Sequence, residues 1–221
     1  MYKIGIIDDH PIFRMGLTTL LNQHPTMEVI YSLEDIRDFH QLPVNQYPDL
    51  WVVDVSLKQG NGLDLVTYCV SQKTNQKVIV LSMYDEHLYG ERALRAGAVG
   101  YIKKTTPPDE LLRLIEKGCQ GHLSISDQFK DFLVHHQIQI QPNTSDERDP
   151  VLVYLSDREL EVFIQLGQGK KAANIADDLK VSIKTIDSHL HNIKRKLGTT
   201  HMVELICKAA VWVNDQHQVS T

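Results

Sequence analysis

Four short apolar runs, each leading to a chemically active side chain, constrain this chain more than any other feature. They are Ile4-Gly5-Ile6-Ile7 before Asp8-Asp9, Leu50-Trp51-Val52-Val53 before Asp54, Val78-Ile79-Val80-Leu81 before Ser82, and a weaker run from Val99 to Ile102 before Lys104. A fifth strand is expected near residues 28–32. Amphipathic stretches beginning near Pro11, Glu34, Gly62, His87 and Pro107 follow the five strands in turn. Buried strands alternating with helical patterns specify parallel βα units. In such a sheet the chemistry gathers just beyond the carboxyl ends of the strands. Asp8, Asp9, Asp54, Ser82 and Lys104 are therefore expected on one rim.

Clustered carboxylates repel one another, so a site holding three of them favours a hard divalent cation such as Mg²⁺. Beside that cation one carboxylate can act as nucleophile towards a phosphoryl group. Lys104 can neutralise the transferred charge, and Ser82 can hydrogen-bond a phosphoryl oxygen. An isolated Asp-Asp pair is more often a polar turn, and an isolated Asp54 a helix cap. Their joint placement at strand ends argues against both.

The chain has 221 residues, enough for two domains. Nowhere does an apolar stretch approach the roughly 18 residues that span a bilayer, and an acid at Asp8 comes too early for a secretory signal. Cys69, Cys119 and Cys207 are odd in number, scattered and without CxxC spacing, which predicts reduced thiols in a cytoplasmic protein. The net charge of −5 is uneven: −3 over residues 1–120, −3 over 121–150 and +1 over 151–221. In the last block Lys180, Lys184, Lys194, Arg195 and Lys196 face only Asp187. Such an excess is weak support for a nucleic-acid partner, because charge runs are commonly solvated faces.

Residues 137–150, QIQIQPNTSDERDP, are polar and rich in turn formers, so a flexible linker is expected there, preceded by a short helix from Ser124 to about Val134. Beyond it only helical patterns occur, over 157–166, 172–179, 183–197 and 202–213. Ser156 with Glu159 forms a capping-box signature, and Ser182 can cap the third of these helices.

The segments IGIIDDHPIFRMGL, DVSLKQGNGLDL, LSMYDEHLYGERALRAGAVGYIKK and PPDELLRLI resemble a two-component receiver domain over residues 2–118. The opening DDHPIFRMGL is similar to the NarL/FixJ subfamily of response regulators. The resemblance implies that Asp54 is the phosphoacceptor and Asp9 a direct Mg²⁺ ligand, with Asp8 assisting and the Ser56 carbonyl completing the protein ligands. It makes Ser82 and Lys104 the phosphoryl-binding pair and Tyr101 the aromatic that turns inward on activation. The family spacing Gly-Tyr-x-x-Lys selects Lys104, and strand alternation agrees, leaving Lys103 as a solvated side chain. Lys58 and Thr105 stand where the family often has proline, or proline or aspartate. Bulky Tyr84, two residues past Ser82, is expected to shield the phosphate.

LSDRELEVFIQLGQGKKAANIADDLKVSIKTIDSHLHNIKRKLG is similar to the LuxR-type helix-turn-helix, over about residues 152–213. Ile175, Ala176 and Leu179 take inward positions of its first helix, Lys180-Val181-Ser182 the turn, and 183–197 the helix that enters the major groove. Ile186, Leu190, Ile193 and Leu197 form the inward stripe. Family position makes Asp187, Ser188 and His191 base readers, assigns Lys184, Thr185, Lys194 and Lys196 to phosphate, and includes Asn192 on the DNA side. His189 is as readily packed as in contact with DNA. Met202, Leu205, Ile206, Ala209 and Val213 lie on the family's dimer helix.

The expected architecture is α/β: a doubly wound five-stranded parallel sheet of the flavodoxin-like receiver type (1–120), a linker with a short helix (121–150), and a small all-α helix-turn-helix domain (151–221). The expected function is transcriptional control on double-stranded DNA, switched when a sensor histidine kinase phosphorylates Asp54 with Mg²⁺, with homodimers forming on phosphorylation or on DNA. A phosphohydrolase would share the aspartate, the Mg²⁺ and the lysine, but such enzymes generally need a cap over the substrate. A DNA binder whose receiver no longer uses phosphate is the third class.

Overall fold

The structure, a computed structural model, describes residues 1–55, 57, 62–71, 76–135, 151 and 155–219. The chain divides into two compact units, Met1–Thr144 and Ser145–Thr221. In the first, strands β1 (Tyr2–Ile7), β2 (Met27–Leu33), β3 (Leu50–Asp54), β4 (Lys77–Ser82) and β5 (Gly100–Lys103) pair in parallel in the order β2-β1-β3-β4-β5. Helices α1 (Pro11–Asn22), α2 (Ile36–His40), α3 (Gly62–Ser71), α4 (Glu86–Ala96) and α5 (Pro108–Cys119) alternate with them.

Side-chain alternation builds the two layers. Leu50 and Val52 join Ile4, Ile6, Ile79, Leu81 and Ile102 in a core closed by Leu17 and Leu21 of α1 and by Leu111, Leu114 and Ile115 of α5. Trp51 and Val53 point the other way, where Trp51 meets Phe39 of α2 edge-on at 5.1 Å between ring centres. Helix α4 starts on Asp85, whose carboxylate accepts from the His87 amide at 2.9 Å, and stops at Gly97 in the left-handed region.

The opening of the expected linker is instead part of the first unit. Ser124 bridges to Gly100 of β5, and α6 (Asp127–His135) packs on α4. The Ser126 hydroxyl donates to Glu86 at 2.8 Å and accepts from the Phe129 amide at 3.0 Å. Phe129 is fully buried. Gly90 admits it, because a Cβ there would lie 2.5 Å from the Phe129 ring. Two aromatic anchors, Phe129 and Phe132, pack against His87 of α4. Residues 136–150 lie outside the described residues.

In the second unit the described residues form helices α7 (Asp157–Gly167), α8 (Ala172–Asp178), α9 (Ile183–Leu197) and α10 (Met202–Val219). The capping box starts α7: the Ser156 amide donates to Glu159 at 2.7 Å while the Ser156 hydroxyl accepts from the Glu159 amide. Phe163 of α7 meets Trp212 of α10 at 5.8 Å. Helix α10 runs beyond the expected residue 213, because after Val213 the apolar period ends but no Gly or Pro breaks the helix. Among the described residues no helix is long and apolar enough to cross a membrane.

Candidate functional site

Strand register brings the predicted rim together. Ile7 pairs beside Val53, Asp54 beside Leu81, and Ser82 beside Lys103, so the residues that follow emerge at one level. Asp8, Asp9, Asp54 and Ser82 are all buried, at 2%, 5%, 3% and 1% exposure. The Lys104 ammonium lies 2.7 Å from Asp54 Oδ2 and 2.8 Å from Asp8 Oδ2, with 3% of its side chain exposed. The Phe13 ring sits 4.7 Å from the ammonium. Three carboxylates against one ammonium leave two formal negative charges in a shielded place, an arrangement that calls for a counter-charge.

One oxygen marks where that charge belongs. Asp9 Oδ1 is buried and receives no hydrogen bond. His10 Nδ1 lies 3.0 Å away but out of hydrogen-bond alignment. Ligand atoms of Asp8, Asp9, His10 and Asp54 all fall within 4.8 Å of one another, so this cluster can hold a metal ion. Ser56 and Lys58 lie outside the described residues.

The switch side of the rim is equally closed. The Ser82 hydroxyl accepts from the Tyr84 amide at 3.2 Å, and the Lys104 amide donates to the Ser82 carbonyl at 2.7 Å. Tyr101 is fully buried and its hydroxyl donates to the Tyr84 carbonyl at 3.1 Å. Burial pushes this phenol far above its ordinary range. The Tyr84 ring stacks on Tyr89 at 4.8 Å. Lys103, expected as a solvated side chain, is partly exposed and pairs with Asp85 at 2.9 Å. Burial raises the pKa of Asp85, but hydrogen bonds from Lys103 and the His87 amide outweigh it and hold the carboxyl below its ordinary range.

Sequence reasoning missed three residues of this site: His10, Phe13 and Arg14. The Arg14 guanidinium bonds the Asp8 carbonyl and approaches Glu34 at 3.8 Å. Their position at the N-cap and first turn of α1, directly after the acids, is the available signal.

In the second unit α8 and α9 are joined by a turn in which Lys180 adopts φ 52° and the Val181 amide donates to the Ala176 carbonyl at 2.9 Å. Ile186, Leu190, Ile193 and Leu197 are buried. Lys184, Asp187, Ser188 and His191 are exposed, and Thr185, Asn192 and Lys194 are half-buried. The Ser188 hydroxyl donates back to the Lys184 carbonyl at 2.9 Å. His189 packs on the inner side, where burial lowers its pKa. Lys196, expected at phosphate, is partly exposed here and its ammonium bonds Glu159 of the α7 capping box at 2.6 Å. Burial raises the pKa of Glu159, yet hydrogen bonds from Lys196 and Ser156 bring it below the usual value. The expected dimer residues also divide. Leu205, Ala209 and Val213 are core, whereas Met202 and Ile206 are exposed.

A five-stranded parallel sheet with a buried Asp–Lys rim, followed by a helix-turn-helix, defines a two-domain regulator. The chain belongs to the response regulators. Residues 4–116 match the family described as "Response regulator receiver domain", and residues 153–209 match "Bacterial regulatory proteins, luxR family". It is 31% identical over 205 residues to the oxygen regulatory protein NreC of Staphylococcus carnosus strain TM300, covering 92% of this chain and 94% of that protein. The crystal structure of response regulator ChrA, from a heme-sensing two-component system, aligns with TM-score 0.50 and 25% identity, covering 99% of this chain and 98% of that one. RcsB from Salmonella enterica serovar Typhimurium, solved on promoter DNA with a phosphomimetic, shares the fold at TM-score 0.56 and 24% identity, covering 95% of this chain and 98% of its own. The protein is thus a DNA-binding response regulator, of a family that works by phosphorylation-driven switching.

Proposed function

We propose that Asp54 is the phosphoacceptor of this regulator and that a sensor histidine kinase is the donor. The observation that carries the reading is the buried Lys104 ammonium held by Asp54 and Asp8 at the carboxyl edge of the sheet. An Asp54 oxygen attacks the phosphorus of the kinase's phosphohistidine. The P–N bond breaks, the imidazole leaves, and an acyl phosphate forms. Asp9 and Asp54 would hold Mg²⁺, with Asp8 assisting and the Ser56 carbonyl completing the set by family resemblance. When bound, the cation neutralises charge on the transferred oxygens.

Lys104 is already placed to follow the new oxygens. The Ser82 hydroxyl accepts from the Tyr84 amide and keeps its own O–H to donate to one of them. Movement of Ser82 towards the new oxygens draws on Tyr84, whose carbonyl accepts from the Tyr101 hydroxyl. Asp85, next in the chain, caps α4 and pairs with Lys103, so movement of this loop acts on the start of α4. Glu86 and Gly90 of α4 carry α6, which gives the change a route towards the second unit.

The receiver occupies residues 1–120 in this reading and the LuxR-type domain residues 151–221. The connecting segment, 121–150, begins with α6 docked on the receiver. Double-stranded DNA is bound by α9, with Asp187, Ser188 and His191 at base edges and Lys184, Thr185, Asn192 and Lys194 beside them. Exposed Met202 and Ile206 supply apolar area for a homodimer on phosphorylation or on DNA. The protein works in the cytoplasm, where DNA is present and thiols stay reduced. It catalyses only its own phosphoryl acceptance and loss.

Labelling the full chain with acetyl phosphate and Mg²⁺ tests this. The expected result is stable, stoichiometric labelling that Asp54→Ala abolishes. Rapid turnover of small phosphoesters would favour a phosphohydrolase, and no labelling would leave a phosphate-independent DNA binder.

A further inference from the structure

We infer that His10 is itself a ligand of the divalent cation, giving the rim a nitrogen donor besides its carboxylates. The inference rests on the reading that a cation sits among Asp8, Asp9 and Asp54. Three observations converge on the ring. First, its aim is set by the backbone. Pro11 confines the preceding residue to extended conformations, and His10 lies at φ −94°, ψ 101°. The His10 amide is also pinned to Asp8 Oδ1 at 2.8 Å.

Second, Nδ1 stands 3.1 Å from Asp8 Oδ1, 3.0 Å from Asp9 Oδ1 and 3.4 Å from Asp54 Oδ2. Metal–ligand bonds of about 2.1 Å at right angles place neighbouring donor atoms about 3.0 Å apart. The nitrogen therefore keeps the spacing of adjacent ligands around one ion. Third, Asp9 Oδ1 is buried without a hydrogen-bond donor even with the imidazole beside it. A hydrogen bond from the ring accounts for the Asp8 contact, whereas the Asp9 contact lies at ion-pair distance without hydrogen-bond alignment. A cation shared by both atoms accounts for each.

An imidazole donor changes which cation the rim prefers. Mg²⁺ favours an all-oxygen shell, whereas Mn²⁺ and the later divalent metals accept nitrogen more readily. His10 thus acts as a selectivity residue that narrows the advantage of Mg²⁺ over Mn²⁺.

Mn²⁺ is both probe and test. Electron spin-echo spectroscopy of the full-length protein with bound Mn²⁺ should show the ¹⁴N coupling of a directly bound imidazole, and His10→Ala should lose it. The same substitution should weaken Mn²⁺ binding by about tenfold and Mg²⁺ binding by clearly less. Mn²⁺ bound with no ¹⁴N coupling in the unaltered chain overturns the inference and leaves the carboxylate site standing. Mn²⁺ and Mg²⁺ both failing to bind, or binding equally well to Asp54→Asn, overturns the cation reading and this inference together.

Discussion

The acidic rim and the recognition helix present opposite solutions to placing charge. On the rim, three carboxylates and an ammonium are almost wholly buried, and each is held by main chain that the sheet fixes. On α9, Lys184, Asp187 and His191 stand in solvent, while the opposite stripe of Ile186, Leu190, Ile193 and Leu197 carries the fold. The rim performs chemistry, so its geometry must exist before its partner arrives. The helix meets a long polyanion, so its groups are left free to fit and derive their strength from charge. Altering the rim should therefore cost stability and function together, whereas altering the outer face of α9 should cost function alone.

The largest expected effect is on the rim. Lys104→Ala leaves buried carboxylates without their partner and should destabilise the first unit by about 3–5 kcal/mol in metal-free buffer, measured by urea unfolding. Lys184→Ala should stay within about 0.5 kcal/mol. Equal losses for the two would erase the contrast.

Phe129→Ala comes next, at about 3–5 kcal/mol for a large buried aromatic. The loss should appear in the unfolding transition of the first unit, because α6 packs on α4. A transition unchanged in midpoint would return residues 127–135 to the linker.

Within α9 itself the contrast can be narrowed to two lysines. Lys184→Ala should lower the slope of log K against log salt by about 0.9 on duplex DNA. Lys196→Ala should leave that slope alone and instead cost about 1 kcal/mol of stability, a figure kept small by the partial exposure of its pair with Glu159. Titrating DNA binding against salt, with thermal melts of each variant, separates the roles.

The smallest effect is one of pH. Glu159 has its folded value held below the ordinary glutamate value near 4.5, so its contribution is full above that value. It is lost as pH falls through the lower folded value. Acid should therefore weaken the helical unit, and Glu159→Gln should flatten its urea midpoint over the range below about pH 4.5. A variant as acid-sensitive as the parent would remove Glu159 from the account.

Much of this molecule is written locally. Hydrophobic runs of strand length mark where each strand stops, and side chains just past those stops share a rim because parallel strands share a direction. Period alone marks the inner stripe of α9, and Ser156 with Glu159 announces α7. Chain-distant pairings obey no such local rule. Lys194 and Lys196 look alike in sequence, yet Lys196 is taken by a carboxylate 37 residues away. Leu205 and Ile206 are equally apolar, and only the packing of α10 on α7 buries one and exposes the other. The short helix expected from Ser124 to about Val134 has no visible docking surface in the sequence until Gly90 opens room on α4 for Phe129. Periodicity shows that a helix has an apolar side. Which surface meets that side, and which charges it captures, depends on contacts that form only when distant segments pack.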